Sequence, residues 1–453
     1  MGRIVYSDDN LLSNIIKLAK NDGYTPGLIL GQNSGQKDYV THLACTPVSK
    51  IKENKDVENI KIIHTVKKIS DIEEIWLADH ALQVTRMLPG GMWVLGLFII
   101  GPGDIFSDQS CHSKLNSILF SINKHLSSNP HLYGNGPSSE KLIFHLSSSS
   151  QKYICKSFDI SIAGSAYRPV DWRFQGHNKW HQIECQYDFE QFAIYHVTEK
   201  RANLSLKKQL KEILNRVNDN VKNAICVIDG EIKEESAILE NTSKGKKEKS
   251  ELYPLNVNLY VPNELEVFSE DDLKVVDLIG EMKCTGVLSS IVFLHQKAMV
   301  KEVIQAVKED IIRSWAARLE MHWDSLVEEE VGTPEEVMVV HEPPRRILIP
   351  LPHSKVAFTD YLFPGESSSE ALIFLQELLG IRGNESIVLK DLEGQPDFFS
   401  DIENLTSTEP SKSENTIDSS SSTNSSILIS GILVALVTLI LSFIIKLYGN
   451  SHS

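Results

Sequence analysis

Cysteine is scarce in this 453-residue chain, and its spacing excludes the common cysteine sites. Cys45, Cys111, Cys155, Cys185, Cys226 and Cys284 are each more than twenty residues from the next, so no CxxC or zinc-knuckle pattern exists. The N-terminus, Met1 to Asp9, lacks the apolar stretch of a secretory leader, so the thiols are expected reduced and mostly buried. Position 6 is Tyr where an N-myristoylation motif wants Ser or Thr. Excess positive charge is also missing: 45 Lys and Arg face 60 Asp and Glu, a net charge of −15. Neutralising a phosphate backbone needs clustered cations, so nucleic acid is not an expected partner. No GxSxG elbow and no phosphate-cradling P-loop occurs. His177 and His181 form one HxxxH, without the glutamate a zincin helix carries between them, and read as a surface pair in a loop. His80 has no cysteine near it in sequence. No catalytic set, metal set or cofactor site emerges, and none is expected.

The composition that remains, 42% hydrophobic and 23% charged, is that of a folded protein. Gly27–Gly31 and Tyr39–Cys45 read as two strands around the turn residues Asn33–Asp38. A helix follows, with a capping box at Ser70 and Glu73, an apolar face at Leu77, Ala81, Val84 and Leu88, and a stop at Pro89-Gly90-Gly91. Met92–Ile100 is a short continuous apolar run, expected as a central strand buried on both faces. Leu115, Ile118, Leu119, Ile122 and Leu126 mark a second helix, and 141–146 and 152–160 further strands. Beyond residue 200 come a Lys-rich insertion at 243–250, expected as a solvated loop, and a strand at 286–294. Ile304, Val307, Ile311, Trp315 and Leu319 lie on one face of a long helix. Arg346–Pro352 is expected as an edge strand, since proline is kept out of central ones. The fold class expected is α/β (α+β), with strands around a buried centre and helices packed on the sheet.

The C-terminus differs. Residues 405–426 hold nine Ser and four Thr and are expected as a flexible tether. Residues 427–445 carry no charge, and 14 of these 19 are Ile, Leu, Val or Phe. At ~1.5 Å per residue they would reach roughly 28 Å, about the hydrocarbon thickness of an endoplasmic reticulum bilayer. Ile427, Leu433, Leu436, Leu439, Phe443 and Ile445 are therefore expected to form a single-pass anchor, with Lys446 and Tyr448 at its edge. That predicts a tail-anchored endoplasmic reticulum protein with its N-terminal bulk in the cytosol.

Several stretches resemble the Odr-four family (odorant response abnormal protein four). They are Gly27-Leu-Ile-Leu-Gly-Gln32, Gln36-Lys-Asp-Tyr-Val40, Trp76 to Gly91, Val94 to Ile100, Arg168-Pro-Val-Asp-Trp172, Val303 to Ile311, and Ile349-Pro-Leu-Pro352 with Asp360-Tyr361. The block from Trp76 to Ile100 is long and specific; Pro352-His-Ser354 departs from an expected Pro-Gly-Ser in a turn. The resemblance implies an MPN (JAMM)-like non-catalytic domain over 1–200, a second α+β region over 201–400, a tether over 401–426 and a transmembrane helix over 427–445. In active MPN enzymes the strand corresponding to Val94–Ile100 continues into His-x-His-Pro, which supplies two zinc ligands. Reading across puts Ile99 and Gly101 at those positions, and neither can bind zinc. The function implied is a non-catalytic adaptor that recruits the cysteine protease specific for the ubiquitin-fold modifier and assists folding or trafficking of a subset of G-protein-coupled (odorant) receptors. The alternatives are a cryptic MPN-type isopeptidase and a general membrane-tethered receptor chaperone acting without the protease. The partner-binding surface is not legible.

Overall fold

A computed structural model describes residues 2–20, 23–47, 65–134, 136–176, 178–196, 206–239, 254–262, 278–326, 343–352 and 354–393. Residues 1–396 form one compact unit. Its first half is a closed barrel of seven strands: β1 (Ile4–Asp8), β2 (Thr25–Ser34), β3 (Lys37–Cys45), β4 (Trp93–Gly101), β5 (Glu140–Ser147), β6 (Tyr153–Asp159) and β7 (Arg168–Gln175), in the order β1-β3-β2-β4-β5-β6-β7. β1 closes the ring by pairing in parallel with both β3 and β7. Helix α1 (Asp9–Leu18) follows β1 directly. Helices α2 (Glu74–Met87) and α3 (Gln109–Leu126) precede and follow β4.

β4 is buried on both faces, as its unbroken apolar run requires. Leu97 and Ile99 join the core cluster that also holds Leu77, Ala81 and Val84 of α2 and Leu115, Ile118 and Leu119 of α3. Phe98 and Ile100 join the cluster that holds Val5, Ile29, Val40, Phe144 and Trp172 inside the barrel. At Gly96 the parallel partner β5 comes so close that an added Cβ would sit 1.9 Å from the carbonyl oxygen of Leu142. A backbone oxygen cannot rotate away, so Gly96→Ala is expected to cost at least about 3 kcal/mol, the upper end for overpacking. A urea midpoint like that of the unsubstituted protein would show that the two strands can separate.

A second sheet, ordered β11-β8-β10-β9, is built from β8 (Trp180–His196), β9 (Ile225–Ile228), β10 (Leu255–Tyr260) and β11 (Leu278–His295). Helices α4 (Leu206–Asn223) and α5 (Val300–Leu326) pack on it, with Ile213, Val217, Val307, Ile311, Trp315 and Leu319 in a shared core. A hairpin of β12 (Arg345–Pro350) and β13 (Ala357–Leu362) and helix α6 (Ser368–Leu379) complete the unit. Ile347, Ile349, Phe358 and Leu375 join the same core cluster as α2, α3 and Leu97. β8 starts within the first expected region and pairs with β10 and β11 from the second. The buried amide of Gln32 on β2 fastens the barrel to β11, accepting from His295 N at 2.8 Å and donating to Gly91 O at 3.0 Å.

The expected helices and strands around β2 to β6, β11, α5 and β12 are present, although α2 begins after Glu73 and Ser70 lies in a separate short 3-10 turn. The expected fold class is corrected. The MPN-like α+β sheet covered by helices is instead a closed barrel of mixed parallel and antiparallel pairing, because β1, too short to stand out in sequence, fills the gap between β3 and β7. The expected C-terminal transmembrane helix is not found among the described residues. Its residues, Ile427, Leu433, Leu436, Leu439, Phe443 and Ile445, lie outside the described residues, as do the tether and the Lys-rich 243–250 insertion. Among the described residues, no helix is long and apolar enough to cross a membrane. The longest, α5 with 27 residues, carries Lys301, Glu302, Lys308, Glu309, Asp310, Arg313 and Arg318. The expected single-pass endoplasmic reticulum placement therefore finds no support among the described residues.

Candidate functional site

The two ends of β4 have opposite characters. At its C-terminal end stand the two positions that the resemblance equates with zinc ligands. Ile99 is 1% exposed and packed in the core. A Cβ on Gly101 would lie 2.1 Å from the Tyr24 ring, so the ring fills the space a side chain would need. His145 on β5 bridges the strand end, with Nδ1 3.0 Å from Ile99 O and Nε2 2.6 Å from Gly103 O. Burial lowers its pKa, while the two carbonyls favour the charged ring. This end of the strand is a packed structural joint. Among the described residues, no group of three or more His, Cys, Asp or Glu could hold a metal ion.

The remaining sequence candidates are scattered. His181 is on β8 and buried, with Nε2 donating to Gln296 O at 3.2 Å, so the expected surface pair is corrected; His177 lies outside the described residues. His80 is also buried. Its Nε2 donates to Leu378 O at 2.8 Å, and Nε2 of His42 donates to Leu379 O at 2.8 Å. These two histidines tie the C-terminal carbonyls of α6 to α2 and β3, where a helix leaves acceptors unpaired. Cys45, Cys111, Cys155, Cys185 and Cys226 are free thiols. Burial pushes the Cys45 and Cys185 thiols up to about 12, the opposite of what a nucleophile needs.

A cluster that sequence reasoning missed gathers where β3 meets β11. The Tyr39 ring stacks on Tyr6 at 5.7 Å and on His295 at 4.6 Å, with Trp180 edge-on at 6.3 Å. Burial, with His181 and Lys37 adding to it, pushes the His295 pKa down to about 4. Glu302 is the only carboxylate near its ring among the described ion pairs, 4.0 Å from Nε2. An unfolded histidine takes up its proton near pH 6.5. The folded ring resists it, so its contribution to stability is full above about pH 6.5 and falls as pH drops toward 4. The urea midpoint should decline between pH 7 and 5, and His295→Gln should flatten the decline. An equal decline in the variant would place the proton uptake elsewhere.

At the N-terminal end of β4 lies an open cleft of about 440 Å³. Its first wall is Trp93 with Pro130, Tyr133 and Pro137 from the loop after α3. Lys222 near the end of α4, and Lys308, Glu309 and Arg313 of α5, line the opposite side. Gly134 and Gly136 have φ of +69° and +71°, and a Cβ at either would stand 3.0 or 2.8 Å from the Trp93 indole, so only glycine lets the loop lie on that ring. The Arg313 guanidinium is 5.0 Å from the same ring's centroid. Its Nη2 donates to Pro89 O at 3.2 Å and lies 3.9 Å from Asp310 Oδ1, while Nη1 is buried and has no hydrogen-bond partner. Lys308 Nζ donates to the carbonyls of Lys222 and Ala224, at 2.9 and 2.7 Å, holding the end of α4 against α5. This arrangement offers no nucleophile and base in contact. It can hold a group with one apolar and one anionic part.

The profile of the ODR4-like family, Odorant response abnormal 4-like, matches residues 27–389. The chain belongs to this ODR4-like family. It is 30% identical over 407 residues to the Protein odr-4 homolog of Homo sapiens, covering 87% of this chain and 86% of that one. The Protein odr-4 homologs of Drosophila melanogaster and Dictyostelium discoideum are each 23% identical, over 84% and 78% of this chain and 85% and 75% of theirs. The matched range includes the sequence blocks at Trp76–Ile100, on α2 with β4, and at Val303–Ile311, on α5. Among solved structures, UfSP from C. elegans superposes with a TM-score of 0.41 at 9% identity, over 84% of this chain and 57% of that one. A score of that size is too low to assign a fold.

Proposed function

We propose that this ODR4-like protein is a non-catalytic adaptor that binds protein partners through its 1–396 unit. Its expected partners are the cysteine protease specific for the ubiquitin-fold modifier and a subset of G-protein-coupled receptors, whose folding or trafficking it would assist. The observation that carries the reading is the contrast along β4: one end sealed by Ile99, Tyr24 and His145, the other opening into a cleft with an aromatic wall and cationic side chains. A buried guanidinium beside a tryptophan is a recognition element, since Trp and Arg dominate the energetics of protein interfaces. Family membership over 27–389 supports protein partners, because the matched region takes in β2 to β7 of the barrel, the second sheet and both walls of the cleft.

The test is reconstitution. The full chain, mixed with the purified protease, is expected to elute as a stoichiometric complex, and alone to leave modifier fusions uncleaved. Separate elution of the two proteins would overturn the adaptor reading. Cleavage by the chain alone, with bound zinc, would favour an isopeptidase instead.

A further inference from the structure

We propose that the cleft between Trp93, α4 and α5 is a docking site for an acidic peptide segment, binding one carboxylate at Arg313 with an adjacent apolar residue against Trp93 and Tyr133. This rests on the reading of the protein as a protein-binding module and names the chemistry of what it takes. Three observations lead to it. First, the charge of the cleft runs against that of the molecule. Lys222, Lys308 and Arg313 share the lining with one carboxylate, Glu309, and Asp310 lies 3.9 Å from Arg313, in a chain whose net charge is −15. Opposite charge raises the encounter rate and orients a partner. Second, Arg313 is 6% exposed and two of its nitrogens are unequal: Nη2 is committed to Pro89 O, and Nη1 is buried without a partner. A buried donor left unpaired is costly, so a shift of the guanidinium that brings Nη1 to an acceptor in the cleft recovers that cost. Third, the apolar side is built and rigid. The Trp93 ring is held between the guanidinium of Arg313 and the glycines at 134 and 136, and Pro130, Pro137 and Tyr133 extend it. Flat aromatic and proline surfaces suit extended peptide, whose backbone already lies near the polyproline conformation.

The ligand is a carboxylate and not a phosphate group. Only one terminal nitrogen of Arg313 is uncommitted, enough for a single oxygen and not for the bidentate fork that phosphate recognition favours. Lys308 spends two donors on the end of α4, and Glu309 in the same wall repels a dianion more strongly than a monoanion.

The experiment uses the full-length protein and fluorescence anisotropy with two labelled probes: a short peptide carrying glutamate between two prolines, and the same peptide with glutamine. The glutamate probe is expected to bind at least about tenfold more tightly, and more weakly as salt is raised. Arg313→Gln is expected to erase the difference. Because Arg313 also packs on Trp93, two surface variants guard against misfolding. Lys222→Glu is expected to weaken the glutamate probe about fivefold, and Glu309→Gln to tighten it, each by more than it changes the glutamine probe. Equal binding of both probes, no binding, or indifference to both surface variants would overturn the proposal. Displacement by millimolar inorganic phosphate alone would overturn the peptide assignment and make the cleft an anion site. If the probe fails while the protease complex forms, the cleft assignment falls and the adaptor reading stands; the reverse pattern removes the adaptor partner and leaves the cleft.

Discussion

Replacing Asp310 with alanine is expected to cost about 3–5 kcal/mol of folding stability, the range for stranding one partner of a buried ion pair. Asp310 sits on the buried face of α5 and is 1% exposed. Arg346 of β12 grips it with two nitrogens, at 2.6 and 2.9 Å, and donates again to Ser289 O at 3.1 Å. Ser290 Oγ adds a bond at 2.8 Å, and Arg313 stands nearby. Burial by itself would lower the Arg346 pKa, yet Asp310 together with Tyr361 and Glu393 outweighs it and holds the guanidinium charged. Removing the carboxylate leaves two buried arginines facing each other without their main counter-charge, and one of them is the arginine of the cleft. Urea unfolding measures the loss, and Asp310→Asn, which keeps shape and part of the hydrogen bonding, should fall between. A loss below about 1 kcal/mol would mean that water reaches the network. Since whole domains are stable by only about 5–15 kcal/mol, the alanine variant is expected to be marginal at 37 °C.

Arg3→Ala should be nearly as damaging, about 3–5 kcal/mol, by the same mechanism at the barrel seam. Arg3 lies just before β1. Its Nε and Nη2 bind both oxygens of Asp38 on β3, at 2.6 and 2.9 Å, and Nη1 reaches Glu140 on β5 at 2.5 Å. The Asp38 side chain is fully buried, and without Arg3 it keeps only the amide of Asn33, 2.7 Å away, among its described side-chain partners. Arg3→Lys is not expected to rescue, because an ammonium cannot reproduce a two-pronged grip while reaching a second carboxylate. Hydrogen exchange distinguishes this loss from general destabilisation. Amides of β1 and β7 should lose protection first, since β1 is what closes the ring. Uniform loss across β2, β4 and β5 would contradict that role.

These two salt bridges also show why part of the fold was legible and part was not. β4 was readable because nine consecutive positions need burial on both faces, and the Pro89-Gly90-Gly91 stop fixed where α2 must end. α5 was readable because Val307, Ile311, Trp315 and Leu319 repeat at helical spacing, and all four are in one core. β1 was not, since five residues carry too little pattern, and its place in the barrel depends on long-range parallel pairing that no local rule encodes. The cleft was missed for a related reason. Trp93 and Arg313 are 220 positions apart, and no local pattern joins them. A signal did exist: Arg313 interrupts the apolar stretch from Ile311 to Trp315, where a charge must find either a partner or a ligand. Ile99 and Gly101 both lie on β4, although the MPN-like sheet they were read from is a closed barrel.

The central claim is that this chain acts by binding another protein and not by chemistry of its own. Light scattering on a size-exclusion column, applied to the full chain mixed with the ubiquitin-fold-modifier protease, tests it most directly. The expected result is a single peak whose mass is the sum of the two proteins, shifted toward the free components by Lys222→Glu if the cleft contributes. Two peaks at the separate masses, at concentrations well above micromolar, would contradict it.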